Sequence, residues 1–83
     1  MVKNKLSIED INSKVGDQIF WNNGKTTICI LTLQNGFEVV GTSGCVDPAN
    51  FDQAIGEKIA YEKALDQVWL LEGYLLQDSL GKE

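Results

Sequence analysis

Two Asn-Gly steps, Asn23-Gly24 and Asn35-Gly36, bracket a run of β-branched and apolar residues from Thr26 to Leu33. Asn-Gly is the strongest short hairpin signal, because a tight turn asks for positive φ at its central positions. With Ile19-Phe20-Trp21 before the first step and Phe37-Glu38-Val39-Val40 after the second, the chain must fold back on itself twice. A three-stranded antiparallel meander is the expected result. Taking Asn35-Gly36 as the two turn residues pairs Leu33 with Glu38, Leu31 with Val40 and Cys29 with Thr42. Taking Asn23-Gly24 in the same way pairs Phe20 with Thr27. One face then holds Phe20, Thr27, Cys29, Leu31, Leu33 and Val40. The other holds Ile19, Trp21, Ile28, Ile30, Thr32, Phe37 and Val39. Neither face is polar, so both need cover.

Helical patterns flank the meander. Ser7-Ile8-Glu9-Asp10 reads as an N-cap followed by acids in a first turn, and predicts a helix over 8–14 that Gly16 ends. Ile8, Ile11 and Val15 would give it one docking face. From Asn50 onward the period becomes helical again. Phe51, Ile55, Ile59, Leu65, Trp69, Leu76 and Leu80 form one apolar stripe; Tyr61, Ala64, Val68, Leu71 and Leu75 form a second. Gly73 is the expected place for a bend. The fold class is α+β: a short N-terminal helix, a three-stranded antiparallel β-meander, and a long C-terminal helix packed across one sheet face.

At 83 residues this is one domain, 1–83, and such a chain buries only roughly 60–65% of its unfolded surface. Self-association is an economical way to bury more. A homodimer or larger homo-oligomer is therefore expected, covering the second helical stripe and the second sheet face. No apolar run reaches the ~20 residues of a membrane span, and MVKNKLSIED has no signal-peptide core, so a cytoplasmic protein is expected.

Charge and composition bound the chemistry. Residues 1–44 carry four lysines against four acids; residues 45–83 carry three lysines against eight acids, which accounts for the whole net charge of −5. There is no arginine and no histidine. Direct nucleic-acid binding, which needs a basic footprint, is disfavoured, and an acidic helix face suits a basic protein partner or simply solubilises the chain. Cys45 has no histidine to act as its base, Cys29 reads as a small buried apolar residue, and the pair falls short of a zinc site. No enzymatic activity, metal or cofactor is expected.

Among the helix acids at 57, 62, 66, 72 and 78, Glu62 alone falls within the first apolar stripe, four residues after Lys58. A buried carboxyl there would be a candidate acid or base, although pairing with Lys58 is the commoner arrangement. GTSG, before the long helix, could present amides to an anion, but Asp47 and Asp52 would repel one. Capping by Asp47 or Asn50, with Pro48 setting the approach to the helix, accounts for the same residues. Trp21, Asn22, Asn23, Trp69 and Tyr74 could line a pocket for a planar ligand, with Lys25 and Lys58 available to a phosphate. Core or interface packing explains them equally directly. The candidate binding residues are Trp21, Asn22, Lys25, Glu62, Asp66, Trp69 and Tyr74.

Four blocks carry a resemblance: Leu33-Gln34-Asn35-Gly36-Phe37, Cys45-Val46-Asp47-Pro48-Ala49-Asn50-Phe51-Asp52, Ile55-Gly56 with Lys58-Ile59-Ala60, and Trp69-Leu70-Leu71-Glu72-Gly73-Tyr74-Leu75-Leu76. Together they resemble a family of small phage and prophage proteins named after accessory gene products of coliphage N-four and Shigella phage Sf-six. The resemblance supplies no catalytic or binding residues. It implies a phage-encoded accessory protein in the host-cell cytoplasm, of a kind that often opposes host defences. Such a protein could bind a defence protein through an acidic, aromatic-containing surface, or sequester a signalling nucleotide at an oligomer interface. A structural or regulatory phage role is the third possibility. This chain lacks helix arginines and has Gly44 before Cys45, departures that count against phosphate binding.

Overall fold

A computed structural model describes residues 5–44 and 52–81. The element order is α1 (Ile8–Lys14), β1 (Val15–Asn23), β2 (Thr26–Leu33), β3 (Glu38–Gly44) and α2 (Gln53–Gly81). The strands form one antiparallel sheet in the order β1-β2-β3, with α2 laid across it. The α+β meander and its two helices are as the sequence predicts.

The N-terminal helix starts where its cap is written. The Ser7 side chain accepts from the Asp10 amide at 3.2 Å, and the Ser7 amide donates to Asp10 Oδ2 at 2.9 Å, a reciprocal box that satisfies two backbone donors. Only Ile11 of its expected face is fully buried; Ile8 is exposed and Val15 half-buried. Gly16 does not terminate the helix. Val15 caps it, and Gly16 lies within β1, where the register shifts between Val15 and Asp17.

The first hairpin keeps a two-residue turn but sets it one residue later than the Asn23-Gly24 reading implied. Asn23 pairs with Thr26, so Gly24 and Lys25 are the turn residues. Gly24 alone has positive φ, 62°, which is the II′ pattern with glycine at the first central position. Phe20 therefore faces Cys29 rather than Thr27, a shift of two residues that leaves its side chain on the same face.

The second hairpin differs by one residue, and that difference inverts β3. Leu33 donates to the Phe37 carbonyl at 2.8 Å, and Gly36 donates to the Leu33 carbonyl at 2.9 Å. The loop is thus the three residues Gln34-Asn35-Gly36, with Gly36 at φ 91°, a turn closed by a left-handed glycine. Leu31 pairs with Val39 and Ile30 with Val40. A one-residue slip exchanges the two faces of a strand. Val39, Gly41 and Ser43 turn toward α2 and are buried, while Val40 turns away.

The helix that covers the sheet uses its smallest residues to do so. Gly56, Ala60, Ala64 and Val68, each four apart, are its buried positions. The large residues of the expected first stripe lie elsewhere: Ile55 and Ile59 are exposed, and Leu65 and Trp69 are half-buried at the seam's margin. The small residues allow backbone to meet backbone. A Cβ added at Gly41 would lie 2.9 Å from Ala64 Cα and closer still to the Ala60 carbonyl oxygen and the Ala64 amide nitrogen. Beneath this seam lie Ile11, Cys29, Leu31, Leu33 and Val39.

Two polar residues at the core are satisfied there. The Ser43 hydroxyl donates to the Gly56 carbonyl at 2.8 Å, and Thr27 Oγ1 accepts from Asn22 Nδ2 at 3.0 Å. The Gln67 side chain donates to the Val40 carbonyl, tying α2 to β3.

The start of α2 is set by Asp52. Its Oδ1 accepts from the Ala54 amide at 2.9 Å and the Ile55 amide at 3.3 Å, the N2 and N3 donors of a helix that begins at Gln53. The expected caps Asp47 and Asn50, with Pro48 and Cys45, lie outside the described residues. Across Gly73 the helix is continuous, and its 29 residues span about 43 Å.

Candidate functional surfaces

Built outward from this core, the seven candidate residues separate into three places. Trp21 stands on β1 with its side chain on the sheet face away from α2 and is 60% exposed. Asn22, the next residue, points to the opposite face, as strand alternation requires. Both ends of its amide are engaged: it donates to Thr27 Oγ1, and its Oδ1 accepts from Gln53 Nε2 at 2.7 Å. Gln53 Nε2 also donates to Glu57 Oε2 at 2.7 Å. This chain of hydrogen bonds fastens the start of α2 to the first hairpin. Lys25 is exposed in that hairpin's turn.

The remaining four lie along α2. Trp69 is half-buried against the core. Glu62, Asp66 and Tyr74 are exposed, spaced four and eight residues apart on the outward flank. Glu62 is therefore not enclosed by an apolar stripe, and the setting that a catalytic carboxyl would need is absent around it. Ile55, Ile59 and Leu70 share that flank, Leu70 at 73% exposure and Tyr74 at 75%. Along that side of the helix the acids Glu62 and Asp66 lie between Ile55 and Ile59 at one end and Leu70 and Tyr74 at the other.

Among the described residues these groups do not meet in one place. Asn22 contacts the start of α2, and Tyr74 lies 21 residues along from Gln53, or about 31 Å. The described surface carries open depressions. One of about 260 Å³ is lined by Leu33, Asn35, Phe37, Leu71, Glu72, Tyr74 and Leu75. It forms where the second hairpin's loop meets α2, and it extends the Leu70–Tyr74 flank with the exposed Phe37 ring. A second, about 390 Å³, lies between β1 and α2 and is lined by Gln18, Phe20, Ala54, Glu57, Lys58 and Tyr61. The Lys14–Glu72 pair, at 3.7 Å, borders a smaller depression beside Gln34 and Asn35.

Cys29 is fully buried, and its thiol is pushed up by burial, with the nearby charge of Glu57 adding to the effect. A raised thiol is a poor nucleophile. Among the described residues, no three His, Cys, Asp or Glu side chains gather as a metal site would require. Likewise, no described helix is long and apolar enough to cross a membrane.

The sequence reading missed Phe37 as part of the α2 patch, because the one-residue longer loop brings it to the helix side. It also missed Val40 as a member of the open sheet face. A model of the phage protein (N4 Gp49/phage Sf6 gene 66) family matches residues 2–80. No curated protein and no solved structure matches the chain.

Proposed function

The chain belongs to the phage protein (N4 Gp49/phage Sf6 gene 66) family, and from that premise we propose a phage accessory protein that binds rather than catalyses. Its target in this reading is a protein of a host antiviral defence system. The observation that carries the binding part is the outward flank of α2, where Leu70 and Tyr74 are each about three-quarters exposed beside Glu62 and Asp66. Side chains of that size are seldom left in water in a row without a partner, and aromatic anchors ringed by polar groups typify protein interfaces. The acids favour a partner with a basic surface, which they would also steer toward the complex. The host-defence target rests on the phage origin of the family, an argument by analogy.

The test is plaquing of a sensitive phage on hosts that each carry one defence system, with and without this chain. Restored plaquing against one system is expected, and Leu70→Asp and Tyr74→Ala should abolish it while the variants stay folded. Restoration that survives both substitutions, together with a melting shift of several degrees on adding a cyclic or ADP-ribose-type nucleotide, would instead establish the sequestering mode. No restoration against any system removes the defence role.

A further inference from the structure

We infer that the sheet face turned away from α2 is the interface between two copies of this chain, packed with their strands running in opposite directions. The register arranges that face in four cross-strand rows: Asn23–Thr26–Gly44 beside the first turn, then Trp21–Ile28–Thr42, Ile19–Ile30–Val40 and Asp17–Thr32–Glu38. Trp21, Ile19 and Val40 are 60%, 53% and 43% exposed. A sheet covered by a helix on one side ordinarily presents polar residues on the other. Here the Ile19–Ile30–Val40 row is wholly β-branched and apolar, and Trp21 and Ile28 stand in the row beside it.

The size of the face suits a second copy. Three strands about 4.8 Å apart and the three rows from Trp21 to Asp17, about 6.8 Å apart, make a footprint of about 14 by 20 Å. With side chains included, that buries on the order of 500 Å² per copy, or about 1,000 Å² in total, the lower bound for a specific interface. Sheets stacked in this way sit about 10 Å apart.

Charge selects both the occupant and its direction. Asp17 and Glu38 mark one end of the face, and the turn carrying Lys25 lies beyond the other. A two-fold axis running between the sheets, along the Ile19–Ile30–Val40 row, sets Ile19, Ile30 and Val40 against the same residues of the partner. It brings the acidic row of each copy over the Trp21 row of the other, on the side of the partner's Lys25. The alternative, with strands running the same way, stacks acid on acid. A surface that is complementary to itself under one two-fold operation is what a homodimer needs.

Light scattering after gel filtration tests this on the intact chain. The expected mass is twice the 9.2 kDa of one copy. Ile19→Lys and Val40→Lys, at positions already half in water, should each weaken the dimer at least 100-fold while circular dichroism stays unchanged. Lys25→Glu should weaken it more mildly, and adding Asp17→Lys to Lys25→Glu should restore it. Leu70→Asp should leave the mass unchanged. A wild-type monomer at 100 µM overturns the proposal. So does a dimer that survives Ile19→Lys or is broken by Leu70→Asp, since either result moves the contact elsewhere. Failure of the double charge exchange to rescue overturns the opposed orientation.

Discussion

Gly41→Ala should be among the most damaging single-methyl changes available to this chain. The added carbon would fall 2.9 Å from Ala64 Cα, with the Ala60 carbonyl oxygen and Ala64 amide nitrogen nearer still. All three are helix backbone atoms, so no rotamer change can move them aside. The helix must lift from the sheet. A gap of 0.5–1 Å already forfeits about a quarter to a half of each contact's attraction. The seam that would open covers Ile11, Cys29, Leu31, Ala60, Ala64 and Val68, all with no exposure. Overpacking usually costs about 1–3 kcal/mol, and a rigid backbone clash over this seam places Gly41→Ala at or above about 3 kcal/mol. A chain of 83 residues has about 4–12 kcal/mol in all. At about 4–8 °C per kcal/mol, the melting temperature should fall by about 12 °C or more, read by circular dichroism and by urea midpoint. Ala60→Gly should give no rescue, because the obstructing atoms of that residue are backbone. Gly44→Ala, where nothing lies within 4 Å, is the control and should be near neutral. A Gly41→Ala variant melting within about 2 °C of wild type would refute the close-approach account.

Three further outcomes follow from the same geometry. Gly73→Ala meets open space within a continuous helix and should stabilise by about 0.5–1 kcal/mol in urea titrations; destabilisation would mean that another surface packs there. Asp52→Ala leaves the Ala54 and Ile55 amides without their acceptor and should cost about 1 kcal/mol, with Asp52→Asn recovering most of it. Burial holds the Cys29 proton on in the folded chain, whereas an unfolded thiol loses it near pH 8.5. The unfolded state then binds fewer protons, so this contribution is complete below about pH 8.5 and fades as pH rises toward the folded value. In a Cys45→Ser background, urea midpoints should fall above that pH more steeply than in the Cys29→Ala variant, and identical slopes would refute the linkage.

How much was legible depended on whether a feature was written locally. Ser7 with Asp10, and the alternation in β2, are complete within a few residues, so α1 and the central strand came out as predicted. The face of β3 did not, because Asn35-Gly36 serves a two-residue or a three-residue loop equally well. Only long-range packing, with Gly41 against α2, selects the latter. The helix seam was hidden for a different reason. Periodicity weighs large apolar residues, and this seam is Gly56, Ala60 and Ala64, chosen for closeness rather than for area. A count of small residues at i, i+4 and i+8 opposite a strand glycine would have found it. Trp21 and Asn22 were assigned to one pocket although strand alternation sends neighbours to opposite faces. By contrast, the meeting of Phe37 with Tyr74 across more than thirty positions leaves no local trace.

The seam of small residues also explains why so much apolar surface remains outside. A helix that approaches a sheet through Gly56, Ala60 and Ala64 buries little of its own bulk. Its leucines and isoleucines are left to its sides, and one helix covers only one face of the sheet. The result is two exposed surfaces on opposite sides of the molecule, the Ile19–Ile30–Val40 row and the Leu70–Tyr74 flank. Because α2 and the sheet lie between them, the two can act independently. A dimer closed through the sheets would turn two acidic helix flanks outward, offering a partner two equivalent contacts. Bivalence of that kind can raise apparent affinity without any new contact. Ile19→Lys should therefore leave the intrinsic contact at Tyr74 unchanged while reducing protection against a multimeric target. If Ile19→Lys were to abolish binding of a single target subunit, the two surfaces would be parts of one site.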